Sequence, residues 1–321
     1  MDISYLLLLQ DFRTATMGML NSFFLLITKF GESYLPYILC LWFYWAFDKN
    51  LGKRLMLTLS GAVMLNGLTK LTACVYRPWI RSPQINPAGN AKVTATGYSF
   101  PSGHTTQSTA SYGVLAFHYR KKKVLSVLLA VLLLLVMFSR NYLGVHTPQD
   151  VIVGFTETAL AAWLMSIILK KIDASGNGRA DLVLVIVSVL LVAAEFYYFL
   201  HKGYPLDYGA DGKLIVDPKA MMPDSFSGCG CYLGTLFGWY FERKTVRFST
   251  DHLSAQVIMQ RCLSGVILYL VMMNIIYPLV LSVFGSLWGA FIGATVIFFY
   301  LMGIHPLLFR FFEKEEANAA G

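Results

Sequence analysis

Three clusters of polar residues interrupt an otherwise apolar chain, and each holds side chains that could act on an anion. Lys70 and Arg77-Pro78 supply two cations with six residues between them. On one continuous helix that spacing is nearly two turns, which puts both cations on one face ~10 Å apart along the axis, and Pro78 stops the helix. Next comes Pro101-Ser102-Gly103-His104, at the head of an apolar stretch. Ser102 suits an N-cap, and Gly103 lets a ligand approach the backbone. A helix start also presents free amide N–H groups and positive partial charge to an anion. His104 stands where a proton donor reaches that same anion.

The third cluster is Ser139-Arg140, then five residues, His146, and Asp150 four positions on. Thr147-Pro148 reads as N-cap and first helical position, so His146 precedes a helix and Asp150 lies in its first turn. From there the carboxylate can accept the imidazole Nδ1–H, fix the tautomer, and leave Nε2 as nucleophile or base. Taken singly, each cluster has a plain structural reading: snorkelling cations, a capped helix, a histidine–aspartate pair at a helix start. Together they put three cations, two histidines and an aspartate at one mouth of the chain. Charges in or beside apolar spans default to function.

The elements that must position these groups are membrane helices. Of the 321 residues, 56% are hydrophobic and 14% charged, where soluble domains carry about 25% charged residues. Mean hydropathy is +0.57, and the apolar runs approach the ~20 residues that cross a bilayer core. We expect nine spans near 34–47, 55–75, 107–119, 124–140, 150–169, 182–200, 225–241, 257–284 and 287–308. Residues 1–33 are expected to form interfacial or re-entrant helices. The net charge of +8 comes from short basic loops around Lys49, Lys53 and Arg54, Arg120–Lys123, Lys170, Lys171 and Arg179, and Arg243, Lys244 and Arg247. Their alternation with other loops is topogenic, marking the cytoplasmic side, and excludes nucleic acid as the partner. The segments 76–106, 141–149 and 201–224 then share the opposite side. Cys40, Cys74, Cys229, Cys231 and Cys262 read as packing residues, with a disulfide at Cys229/Cys231 as the weaker alternative.

The three clusters resemble the signature of the type 2 phosphatidic acid phosphatase superfamily: K-x6-R-P, then P-S-G-H, then S-R-x5-H-x3-D. Every fixed position is present in order, and the resemblance covers roughly residues 55–169. It implies an all-α polytopic bundle with a five-to-six-span phosphatase core and about three further C-terminal spans. The corresponding divisions are 1–33, a core at 34–200, and 201–321 with a loop, additional helices and a short cytoplasmic tail. It implies a metal-independent hydrolase with no cofactor. Lys70, Arg77, Arg140, Ser102 and Gly103 would bind phosphate. His146, oriented by Asp150, would attack phosphorus to give a phosphohistidine, and His104 would protonate the leaving alcohol. The expected substrate is an amphiphilic phosphate monoester or diphosphate of the phosphatidate, sphingoid-base or polyprenyl type, met among membrane lipids.

A bacterial inner membrane with an extracytoplasmic site fits the short loops. Three rivals use the same residues differently: a lipid-diphosphate phosphotransferase, a sugar-phosphate phosphatase and a non-enzymatic transporter. The loop 201–224, with Tyr204, Asp207, Tyr208, Asp211 and Asp217, is expected to cover the site and set substrate choice.

Overall fold

The computed structural model describes residues 2–309 and 311, apart from 33, 94, 96, 177 and 210; the tail beyond 311 lies outside the described residues. Among the described residues thirteen α-helices follow in order: α1 (Asp2–Ala15), α2 (Asn21–Ile27), α3 (Tyr34–Trp42), α4 (Lys49–Ala73), α5 (Pro78–Arg81), α6 (Gly103–Ser108), α7 (Val114–His118), α8 (Lys123–Tyr142), α9 (Pro148–Ser175), α10 (Arg179–His201), α11 (Pro218–Phe241), α12 (Ala255–Val271) and α13 (Tyr277–Phe299). No strand is formed among the described residues; a lone antiparallel bridge joins Tyr208 and Leu214.

Four stretches are long and apolar enough to cross a membrane: Lys123–Tyr142, Pro148–Ser175, Arg179–His201 and Ala255–Leu308. They carry apolar side chains on the outside, Val127, Leu128 and Leu134 on α8 and Val183, Ile186 and Leu190 on α10, while Ser139, Arg140, Asp181 and Glu195 are buried. Water as solvent would favour the reverse arrangement; hydrocarbon favours this one. The protein is a helical membrane protein.

The chain divides into two compact units. Unit 1 comprises Met1–Pro36, Leu65–Ala162 and His201–Met222. Its helices α1 and α2 pack on α8, and Phe24 of α2 meets the Tyr142 ring at 4.4 Å between centroids. Around that contact Leu143 and Val145 bury themselves against Ala88, Ala91 and Ala95 of the long connection after α5. Backbone bonds from Ala88 N to Leu143 O (3.0 Å) and from Ser99 N to Val75 O (2.7 Å) pin that connection at both ends. Arg13 of α1, buried, donates to the Tyr142 carbonyl at 3.0 Å and to that of Asn86. A π-turn, Thr109–Gly113, joins α6 to α7, so the apolar helix expected from residue 107 begins at Gly103.

Unit 2 comprises Tyr37–Met64, Trp163–Leu200 and Pro223–Gly321. Gly230, Gly234 and Gly238 of α11 lie against α13 and the turn that follows it. A Cβ there would sit 2.2 Å from Phe291 O, 2.4 Å from Thr295 O and 2.7 Å from the Met302 side chain, so the backbones touch in the manner of small-residue membrane interfaces. Within α13, Gly285 (φ 78°, ψ 169°) breaks the helix. Beyond it Gly289 meets Leu281 and Gly293 meets Tyr277, so the two halves run antiparallel around residue 285. The five cysteines are free, with Cys229 bonded to Glu195 and Cys231 to Tyr37, both at 3.2 Å.

Candidate active site

All three clusters converge within unit 1. Lys70 lies in the last turn of α4, which stops at Ala73. Arg77 does not continue that helix, contrary to the single-face arrangement read from the spacing. Cys74 takes a left-handed φ of 49°, and Arg77 is extended (φ −62°, ψ 152°). Pro78 is the cause, because its ring disfavours the helical conformation of the preceding residue. The cations therefore stand on either side of a backbone break and not on one helix face. Lys70 Nζ donates to Pro101 O at 2.8 Å and Tyr98 O at 3.4 Å. Arg77, buried, donates from Nε to Gly97 O (3.2 Å) and from Nη1 to Val145 O (3.0 Å).

Ser102 caps α6 as expected, accepting from Thr105 N, and its own N–H bonds Asp150 O at 2.9 Å. A Cβ on Gly103 would meet nothing nearer than Asn66 Oδ1 at 4.0 Å, so the glycine opens space beside the backbone. His104 follows, and its Nε2 is shielded from solvent with no hydrogen-bond partner. Arg140 lies in the last turn of α8, buried, with Nη1 on Thr28 Oγ1 at 2.5 Å and Nε without a hydrogen-bond partner among the described residues.

His146 and Asp150 are tied by the start of α9. Thr147 Oγ1 accepts from Asp150 N at 3.4 Å and Thr147 N donates to Asp150 Oδ2 at 2.9 Å, a reciprocal capping box with Pro148 in the first helical position. That box fixes the carboxylate where His146 Nδ1 reaches Oδ2 at 3.2 Å. Ser99 donates to the same oxygen and lies 3.4 Å from Nδ1. His146 Nε2 faces Arg77 Nη1 at 2.9 Å. Since guanidinium can only donate, Nε2 is the acceptor and the proton is on Nδ1. Burial holds the imidazole well below its ordinary pKa, and Arg77 adds to the shift while Asp150 opposes it. His104 is likewise pushed well below by burial, then by Arg140, His146, Arg77 and Lys70. Burial lowers Arg77 itself to about 10, with Asp150 opposing.

The structure thus gathers Lys70, Arg77, Ser102, Gly103, His104, Arg140, His146 and Asp150. Two contributors escaped the sequence reading. Ser99 stands three residues before Ser102, and its alignment with Asp150 depends on the turn between them. Thr28 comes from the N-terminal segment, where no motif points to Arg140.

Comparison with known proteins places these residues in context. Residues 52–173 match the PAP2 superfamily. Undecaprenyl-diphosphatase of Sulfolobus acidocaldarius is 29% identical over 160 residues, covering 49% of this chain and 72% of the relative. Phosphatidylglycerophosphatase B of Bacillus subtilis is 33% identical over 125 residues (36% of this chain, 61% of the relative). Its namesake from Haemophilus influenzae is 42% identical over 82 residues, covering 23% and 32%. No solved structure matches the chain at a significant level.

Proposed function

We propose that the chain, whose residues 52–173 match the PAP2 superfamily, is a phosphoric ester hydrolase of a membrane that hydrolyses a lipid phosphate monoester or diphosphate through a phosphohistidine, without a metal. The observation that carries the reading is His146, with Nδ1 on Asp150 and the Nε2 lone pair turned toward the cations. Lys70, Arg77 and Arg140 bind the phosphate oxygens, joined by the Ser102 hydroxyl and the Gly103 N–H. Phosphoryl transfer asks mainly for positioning and charge neutralisation, which three cations at a helix start supply.

The contacts support the following order of events. Arg77 covers the nucleophilic lone pair. An incoming phosphate takes that N–H, so binding and unmasking of His146 are one event. The phosphate also brings negative charge beside His104, raising its proton affinity where burial and cations had depressed it. Protonated His104 then delivers its proton to the leaving alcohol as Nε2 of His146 attacks phosphorus. Neutral His104 next takes a proton from water, whose oxygen displaces His146 from phosphorus and releases inorganic phosphate.

The relatives' names point to polyprenyl diphosphate or phosphatidylglycerophosphate as the substrate class. The alternating basic loops support an extracytoplasmic site in a bacterial inner membrane. The test is phosphate release from a panel of these lipids in detergent with EDTA, wild type against His146→Ala. EDTA-resistant release that falls by at least about 10⁴-fold in the variant is the expected result. Release that needs a metal or survives the substitution overturns the mechanism, and transfer to a second lipid without free phosphate marks a phosphotransferase.

A further inference from the structure

Residues 201–222 lie beyond the superfamily match, yet they belong to unit 1. Lys202 Nζ donates to Leu71 O at 2.6 Å and Thr72 O at 3.0 Å, carbonyls that the end of α4 leaves without helical partners. Asp207 accepts from the Tyr76 hydroxyl at 2.5 Å. Bonds from Gly209 N to Lys213 O (2.8 Å) and Ile215 N to Asp207 O (2.9 Å) fold the segment on itself. In the first turn of α11, Met221 is buried and its Sδ accepts the Tyr98 N–H at 3.0 Å. A Cβ on Gly97 would fall 1.9 Å from that sulfur, so the methionine packs directly on the Gly97 backbone; Gly97 also has φ +60°, the left-handed region that favours glycine.

The residues gripped by Met221 are the ones that aim the cations. Gly97 O receives Arg77 Nε and Tyr98 O receives Lys70 Nζ. The dipeptide thus turns its carbonyls to the phosphate-binding side chains and its Cα and N–H to the methionine. We infer that Met221 is a positioning residue, by which a segment outside the superfamily match sets the geometry of Arg77 and Lys70. The inference rests on the phosphatase reading above for the role of those cations. Removing the side chain empties the space beside Gly97 and strands the buried Tyr98 N–H. The dipeptide then drifts, and a displacement near 1 Å at a reacting group can cost about 10²-fold in rate.

The test uses the full chain in detergent and compares wild type, Met221→Ala, Met221→Leu and Asp207→Asn. Three quantities are read: thermal midpoint, kcat and KM for phosphate release, and equilibrium binding of orthovanadate as a phosphate mimic. Met221→Ala is expected to lose roughly 10–100-fold in kcat/KM, with vanadate binding weakened in parallel. Met221→Leu refills the space and should recover most of the loss. Asp207→Asn loosens only the outer tether and should shift both quantities in the same direction by about twofold to fivefold. If Met221→Ala does not fold, Asp207→Asn carries the test, and unchanged KM and vanadate binding in it overturn the inference. Wild-type KM and vanadate binding in folded variants, whatever their thermal midpoint, overturn the inference and leave the phosphatase reading standing. A wild type that binds vanadate but releases no phosphate overturns the phosphatase reading, and the binding ratios still decide the role of Met221.

Discussion

The two units differ in what most of their cations meet. In unit 2 carboxylates receive Lys49 (Glu242, 2.6 Å), Lys53 (Asp173, 2.9 Å), and Arg243 and Lys244 (Asp181, 3.2 and 3.3 Å), while the buried Arg261 rests on the carbonyls of Trp45 and Ser249 at 2.8 Å. In unit 1 the cations near His146 rest on neutral oxygens, Lys70 on Pro101 O, Arg77 on Val145 O and Arg140 on Thr28 Oγ1. A carboxylate cancels the charge it binds, whereas a carbonyl or hydroxyl only orients it. Unit 1 keeps a positive field for an anion that arrives from outside, and a field fixed in advance costs no reorganisation when the anion reacts. Unit 2 spends the same residue types on holding helices together.

That contrast breaks first on a pair of substitutions. Arg140→Met should lower kcat/KM by about 10³-fold or more, the range for an arginine on a transferring phosphoryl group, with little change in thermal midpoint. Lys49→Met leaves Glu242 buried without its cation, and breaking such a pair costs about 3 kcal/mol. The folded fraction should still turn over within about threefold of wild type. Thermal unfolding and steady-state kinetics on both proteins decide. A Lys49→Met protein that is stable but inactive would mean that the units do not divide the work this way.

A pH profile sharpens the contrast. Burial and Arg77 together depress the proton affinity of His146, so the proposed nucleophile stays neutral below the ordinary imidazole value of about 6.5. Activity in kcat/KM is then retained as pH falls through 6.5 and lost only at lower pH. Replacing Arg77 by Gln removes a cation that disfavours imidazolium, so the pKa rises and the acid limb moves upward. The rate at neutral pH should also fall by about 10²-fold. The kcat/KM profile reports the free enzyme, so it is the quantity to measure. An acid limb that stays put would show that Arg77 does not face the nucleophile in the working protein.

The same contrast explains what the sequence reveals. That the three clusters of unit 1 come together is legible because the proposed phosphate binding, the capping and the imidazole orientation each demand particular types at particular spacings. Thr147, Pro148 and Asp150 even announce their own geometry, since a capping box is local. The break at Cys74 was less legible. Pro78 disfavours a helical Arg77, but a helix-face argument extends the helix four residues too far, past its end at Ala73. Thr28 and Met221 could not be read at all, because each reaches its partner through folding: Thr28 meets Arg140 across 112 positions, and Met221 meets Tyr98 across 123. The glycines of α11 have a visible four-residue period, yet which helix they meet is decided by the hairpin at Gly285.

The smallest effect separates the units most finely, because it compares two serines. Ser188 in unit 2 shares a bond with Tyr232 at 2.9 Å, buried and neutral on both sides. Ser99 in unit 1 donates to the Asp150 carboxylate beside His146. Interhelical bonds between neutral groups in a membrane average ~0.6 kcal/mol, so Ser188→Ala should lower the thermal midpoint by only about 1–2 °C and leave kcat/KM unchanged. A bond to a charged acceptor contributes about 1.5–3 kcal/mol, and Ser99→Ala should surrender part of that in the transition state, about tenfold in kcat/KM, because the carboxylate then orients His146 less firmly. Kinetics and thermal unfolding of both alanine variants settle the matter. Equal kinetic losses would make the Ser99 bond ordinary packing, whereas a loss confined to Ser99→Ala would show that the carboxylate needs the serine as well as the capping box to hold its histidine.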